Sequence, residues 1–428
     1  MGRQVKKSKA KKTEKRAFSA GCLTLMPGVL MCSMILLVLI LDLFMPDMAD
    51  TQYEVFPDIF MVTDHLAAAC MVLFVIASAK KKTLKFDRSF APFAAFALLI
   101  IISTCANGLT RQAVEGIPFR YIGIFNMFAF MLAYMWLSGQ SVTESLRTKV
   151  LLLYLLAADL VGISALADLY VIRIPAYHAK KELSAVFFNG NHYGYFLLMA
   201  VLIGAGLYVY GEGKGKVFGA ASAALNAVLL ALNHSMGSIL AVVIVTAGMS
   251  ACVLIYDKDR AKRLAVLILS MAACLAAALV FSHAVRNEFI SLGTDMAALL
   301  NGSRDSTIGH NRLLLWKLTA EYIRERPLLG YGCEGIAFSL FDATGRSNPH
   351  SEVLTYAAYY GIPAALCYLA GIAVFFTRYF KNRKSAEISS RIACMAAAGY
   401  FVSSLTGVAM FYTAPFFFIF LGLMYEKQ

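Results

Sequence analysis

AVRNEFISL (284–292), GHNRLLLWKLTAEYIRERPLLGYGCEG (309–335) and RSNPHSEV (346–353) come from the one long polar interval of the chain, residues 284–351. On both sides lie apolar runs of about 20 residues, the length that crosses a bilayer as a helix. A chain of membrane-spanning segments that keeps one extended loop, with Arg, His and Glu gathered at its end, is expected to do its chemistry in that loop.

The surrounding sequence supports that contrast. The chain has 428 residues, 59% of them hydrophobic, and a mean hydropathy of +0.66. Soluble domains run to about 45–50% apolar, so this composition excludes an ordinary soluble enzyme. About twelve apolar segments are expected to span the membrane: 24–46, 59–79, 90–106, 117–137, 150–171, 193–210, 217–232, 235–256, 264–283, 352–377, 392–409 and 411–425. Backbone groups in lipid must be satisfied within their own segment, which makes these spans helices. The expected fold class is all-α: a polytopic membrane bundle with one large folded extracytoplasmic loop. Segments 217–232 and 411–425 are the shortest and define their ends least well.

A formal net charge of +13 can indicate a nucleic-acid partner. Its placement argues against one, because the cations sit in short loops between spans. Lys6–Arg16, Lys80–Arg88, Arg147–Lys149, Lys214–Lys216, Lys258–Arg263 and Arg378–Arg391 all fall on one side of a twelve-span arrangement. By the positive-inside rule that side is cytoplasmic. Both termini are then cytoplasmic, residues 284–351 are extracytoplasmic, and the location is the plasma membrane. Residues 1–23 form a basic cytoplasmic segment suited to anionic lipid, and 24–428 form the membrane domain. The nine cysteines show no CxxC or Cys/His metal spacing, so neither a metal nor a disulfide framework is expected.

Within the loop, Leu315, Leu318, Tyr322 and Ile323 recur at helical spacing, predicting a helix over Arg312–Arg326 that Pro327 ends. Gly330, Gly332 and Gly335 mark a turn-rich stretch, and Asn348-Pro349 a second turn before His350. Arg312 at a helix start is either a surface charge or half of an anion site, since helix N-terminus and guanidinium both attract anions. His350 is either an interfacial polar residue or a base, histidine being poised to take a proton near neutral pH. Glu352 could orient it, although neighbouring positions on a helix diverge. Asp42, Asp64, His65, Asp159 and Asp168 fall within or at the edge of spans, where charges are costly and either functional, at span ends or internally paired; Asp42 is expected to be interfacial and Asp64-His65 packed as a pair. Asp159 is the deepest.

The motifs resemble the O-antigen ligase/polymerase superfamily of bacterial envelopes. The resemblance rests on Arg312-x3-Trp316, Arg326-Pro-Leu-Leu-Gly-Tyr-Gly332 and Asn348-Pro-His350-Ser-Glu352-x8-Gly361. Two earlier segments add to it. Phe188-Asn-Gly-Asn191-His192-x-Gly194 is similar to the family's Asn-Pro-Asn-x-x-Gly, and Ser235-Met236-Gly237 to its Ser-Arg-Gly. The likeness covers residues 185–375.

It implies an enzyme that moves a glycan from a polyprenyl-pyrophosphate carrier to a hydroxyl of a glycan or lipid acceptor, as ligase or polymerase, without a cofactor or metal. By match His350 takes the base role and Arg312 the pyrophosphate. Arg120, Arg346, Asn191 and His192 are expected to line the substrate site. Two departures stand out: Met236 replaces the family's Arg, and Ser351 replaces the Asn that commonly follows the His. A transporter or flippase of lipid-linked glycan is the alternative, and would show inverted repeats. A non-catalytic assembly scaffold is another, and would tolerate loss of His350.

Overall fold

The computed structural model describes residues 88–424, with breaks at 118–119, 140–141, 173, 175–182, 188, 303–307 and 310, together with scattered positions between 27 and 76. The basic N-terminal segment, most of the expected span 59–79, and Asp42, Asp64 and His65 lie outside the described residues. Among those described there are helices and turns and no strand.

The helices, in chain order, are α1 Ala91–Asn107, α2 Arg111–Glu115, α3 Ile124–Gly139, α4 Glu144–Tyr170, α5 Gly190–Tyr210, α6 Gly213–Asn233, α7 Met236–Tyr256, α8 Ala261–Phe281, α9 His283–Leu300, α10 Arg312–Glu325, α11 Ala337–Thr344, α12 Glu352–Tyr360, α13 Ile362–Asn382, α14 Ile388–Ser404 and α15 Ala414–Leu423. Six of them are long and apolar enough to cross a membrane: α4 to α8, with α8 counted from Lys258, and α13. A 21-residue helix at about 1.5 Å per residue matches a hydrocarbon core about 30 Å thick. The protein is a multi-pass membrane protein.

α5 is the axis of the bundle. It is almost wholly buried, and α4, α6, α7 and α14 all pack on it. The short helix α15 fills the gap beside α3 with Phe416, Phe417, Phe418 and Phe420, all buried. Asp159 of α4 is sealed between helices. Its carboxylate accepts from Ser222 Oγ and from Asn226 Nδ2 (2.8 Å), both on α6. Asp168 caps its own helix end by accepting from the Ile174 amide at 2.7 Å.

Three expectations change. The segment 217–232 lengthens to the 21-residue α6. The span expected at 352–377 is two helices, α12 and α13, parted at Gly361 (φ 90°), with Pro363 in the first turn of α13. The segment 117–137 becomes helical only at Ile124, so Arg120 sits in a turn before α3. The polar interval also holds a helix that its mixed pattern concealed, α9, which continues from α8 after Ser282.

The Arg326–Gly332 motif has a structural explanation. The amides of Tyr331 and Gly332 donate to the carbonyls of Ala358 (3.1 Å) and Tyr359 (2.8 Å), and Ile362 N donates to Pro327 O (2.8 Å). The first two bonds occupy carbonyls that the end of α12 leaves without helical partners. The approach is so close that a Cβ at Gly330 would lie 2.4 Å from Ala358 O, and one at Gly361 would lie 2.1 Å from Leu328 O. Both glycines also have left-handed backbone, so the positions admit little else. Ser103 and Asn107 of α1 bond the same segment, Ser103 Oγ donating to Leu329 O and Tyr359 O, and Asn107 Nδ2 to Gly330 O.

Candidate active site

Four segments build the site. Asn189 caps α5 by accepting from Asn191 N at 2.8 Å. Asn233, at the end of α6, donates to Leu183 O (2.6 Å) and Gly190 O (2.9 Å), fixing the α6–α7 turn against the start of α5. Arg312 opens α10 behind Asn311, whose backbone is left-handed (φ 67°). His350 stands two residues before α12, with Ser351 as the cap of that helix.

His350 is itself left-handed (φ 53°), which costs an L-residue on the order of 1–2 kcal/mol. Its surroundings hold it there. The His350 amide donates to Asn348 Oδ1 at 2.8 Å, and Asn348 Oδ1 also accepts from Thr355 Oγ1 at 3.4 Å. Trp316 Nε1 donates to Pro349 O at 3.0 Å. Arg312 and Trp316 are one helical turn apart, so the indole that grips the residue beside His350 also fixes Arg312 relative to it. That is a physical reason for the Arg-x3-Trp spacing.

Arg312, Arg346, His350, Asn191 and Met236 share one cleft of about 210 Å³. Its far wall is α9, through Glu288, Leu292 and Asp295. Asp295 accepts from Gly309 N at 2.9 Å and so shapes the approach to Arg312. Neither the Arg312 nor the Arg346 guanidinium has a hydrogen bond or ion pair among the described residues. Behind His350 lies a smaller recess of about 30 Å³, lined by His192, Tyr195, Ser403 and Thr406 as well as Arg312 and His350. His192 Nδ1 is buried there with no hydrogen-bond partner among the described residues.

The electrostatics follow from this crowding. Burial, then Arg312, Arg346 and Arg120, push the His350 imidazole down to about 4. It is therefore neutral at pH 7 and can accept a proton. Burial and the like charge of Arg346 lower Arg312, while Tyr195 and Glu288 oppose the fall. Arginine stays charged regardless.

Two expected site residues face elsewhere. The Glu352 carboxylate is buried and accepts from Tyr400 OH (2.6 Å) and Tyr368 OH (3.2 Å) rather than from His350. As the first residue of α12 it projects into the bundle, away from the chain that precedes the helix. Arg120 is buried against Glu334 (2.6 Å) and lines a separate small recess behind the loop. The sequence reading did not single out Glu288, Asp295 or His234 as site residues. A helix over 283–300 would have put Glu288 and Asp295 on one face.

A second cavity, about 500 Å³ and almost entirely apolar, lies among α5, α6, α7 and α8. Val201, Leu230, Ile239, Val242, Met271 and Leu275 are among its walls. Leu230 and Ile239 flank the α6–α7 turn whose Asn233–Met236 line the polar cleft.

Residues 221–369 match the O-antigen ligase family. That segment carries an O-antigen ligase domain, which supports the O-antigen ligase/polymerase superfamily reading. The domain runs from within α6 into α13. It includes Arg312, Arg346, His350 and Glu352, whereas Arg120, Asn191 and His192 precede it. No curated protein matches the chain. At the position where this family's Ser-Arg-Gly has its cation, Met236 lines the cleft.

Proposed function

We propose that the protein moves an oligo- or polysaccharide from a polyprenyl-pyrophosphate carrier to an acceptor hydroxyl during cell-envelope polysaccharide assembly. The observation that carries this reading is the shared cleft: two guanidiniums without hydrogen-bond or ion-pair partners among the described residues, beside a neutral imidazole. The O-antigen ligase domain supports the same class of donor and acceptor.

In the proposed reaction Arg312 and Arg346 bind the pyrophosphate. The acceptor hydroxyl gives its proton to His350 while its oxygen attacks the anomeric carbon. The bond from that carbon to the pyrophosphate oxygen breaks, and its electron pair leaves with the carrier. Fixed cations stabilise the charge growing on that leaving group. A single displacement inverts the anomeric carbon. The carrier's hydrocarbon tail would occupy the apolar cavity that meets the cleft at the α6–α7 turn. Asn191 and His192 would line the sugar side, and residues 185–375 would form the functional core.

The cleft opens outward in this reading, both termini are cytoplasmic, and about twelve spans complete the membrane domain. Ligase and polymerase differ only in the acceptor: a finished anchor, or another lipid-linked oligosaccharide. The test is to delete the gene, then restore it as wild type, His350→Ala or Arg312→Ala. Lipid-linked single repeats should accumulate for a polymerase, and lipid-linked long chains for a ligase. Unchanged glycans in all three backgrounds, with both variants present in the membrane, would refute the assignment.

A further inference from the structure

Arg120 and Glu334 form a buried ion pair outside the cleft, and the role proposed above for Arg312 and His350 does not use it. Their side chains are 10% and 3% exposed, and Arg120 Nη2 lies 2.6 Å from Glu334 Oε2. Tyr359 OH donates to the same Glu334 oxygen at 2.7 Å. Glu334 holds a left-handed backbone (φ 58°), a conformation unfavourable for a glutamate. A buried ion pair is weak ground for stability, because apolar residues of similar volume often serve as well. The geometry must therefore supply something an apolar pair cannot.

The free end of the guanidinium supplies it. Arg120 Nη1 donates to Ser347 O at 3.1 Å. Ser347 begins the Ser347–His350 loop, whose other fixed points are Asn348 Oδ1, bonded by the His350 amide, and Pro349 O, bonded by Trp316. Arg120 is itself anchored, since Phe411 N donates to its carbonyl at 3.2 Å. One side chain thus ties the turn before α3, the turn before α11 and the His350 loop together. Glu334 and Tyr359 aim the guanidinium, and its second terminal nitrogen donates to the first carbonyl of the loop.

We infer that Arg120, aimed by Glu334, is a positioning residue that holds the His350 loop in its reactive conformation. This rests on the proposed role of His350. It acts through the backbone, and it touches no substrate. Lysine cannot replace it, because one ammonium on a flexible stem does not reproduce the planar fork that spans Glu334 and Ser347.

The test uses the full-length protein in membranes, supplied with the lipid-linked glycan extracted from a strain lacking the gene. The double variant Arg120→Met/Glu334→Gln removes both charges together and so avoids an orphaned buried ion. It should accumulate and melt like wild type, with kcat lowered ~10- to 100-fold, the cost expected of a small misplacement, and donor KM within about twofold. Arg120→Lys should behave alike. Hydrogen exchange at residues 347–351 should speed up in both variants without any substrate.

Unchanged kcat in the double variant, or unchanged exchange in the loop, overturns the inference. A raised donor KM with unchanged kcat also overturns it, by making Arg120 a donor ligand. Faster exchange together with a silent His350→Ala leaves the strut standing and removes the functional reading instead.

Discussion

The basic loops at one end of the helix bundle and the cleft at the other treat their cations in opposite ways. At one end the basic loops are closed by protein. Arg147 pairs with Glu387, Arg391 with Asp257 at 3.0 Å, and Arg263 with Glu212 at 3.0 Å, while Arg260 donates to Tyr210 O at 2.6 Å. Glu144 there accepts from Ser389. At the other end Arg312 and Arg346 line a cleft, and among the described residues their guanidiniums have no hydrogen-bond partner. The closed cations serve the packing of α4, α7, α8 and α14. The open ones are the pair proposed above to bind the donor.

That contrast can be broken by substitution. Loss of an open group should remove activity and spare the fold. His350→Ala is expected to lower glycan transfer about 10²–10⁴-fold, the scale of a lost general base. Arg312→Ala should lower it by about 10²–10³-fold, the scale of a lost charge-stabilising donor. Thermal melting of both purified variants should match wild type, and a collapse in melting temperature would erase the distinction.

Loss of a closed group should do the reverse. Arg147→Ala removes an ion-pair partner of Glu387, which is 43% exposed. The cost should therefore fall below the roughly 3–5 kcal/mol typical of breaking a fully buried pair. Denaturation should register it, with turnover per folded molecule unchanged. Trp316→Phe sits between the two classes. It removes one hydrogen bond of about 1 kcal/mol and loosens Arg312 and the His350 loop together, so kcat should fall more than stability does.

The smallest effect concerns pH. With His350 held at about 4, its neutral form persists from pH 7 downward until the solution approaches that value. The unfolded chain, with imidazole near 6.5, binds the extra proton first. Stability should therefore decline as pH falls from about 6.5 to about 4. The acid limb of kcat/KM should lie near the lower value and move upward in Arg346→Gln, which removes one of the cations that depress His350. An acid limb that stays in place would detach Arg346 from the site.

Much of this plan was legible in the residues. Apolar length pointed to the membrane helices. The Leu315–Ile323 spacing marked a helix beginning at Arg312, and it occupies Arg312–Glu325. What was not legible is what distance in sequence conceals. Arg120 and Glu334 are 214 positions apart, and no local pattern announces their pairing. The split at Gly361 depended on carbonyls being taken by the 327–332 segment, which an uninterrupted apolar run does not reveal. His350 could be noticed as a histidine after Asn-Pro, but its left-handed backbone is imposed by Trp316, Arg120 and Thr355 from three other elements. Adjacency in sequence suggested a Glu352 partnership with His350, whereas helix geometry turned that carboxylate toward Tyr368 and Tyr400.

The cations around His350 carry a consequence for timing. They suppress its appetite for a proton, which makes it a weak base. In the proposed reaction a bound pyrophosphate would bring negative charge between Arg312 and Arg346, cancel much of their field, and strengthen the imidazole. The donor would then arm the residue that uses it. An acceptor arriving first would meet an idle site, and so would a stray water molecule.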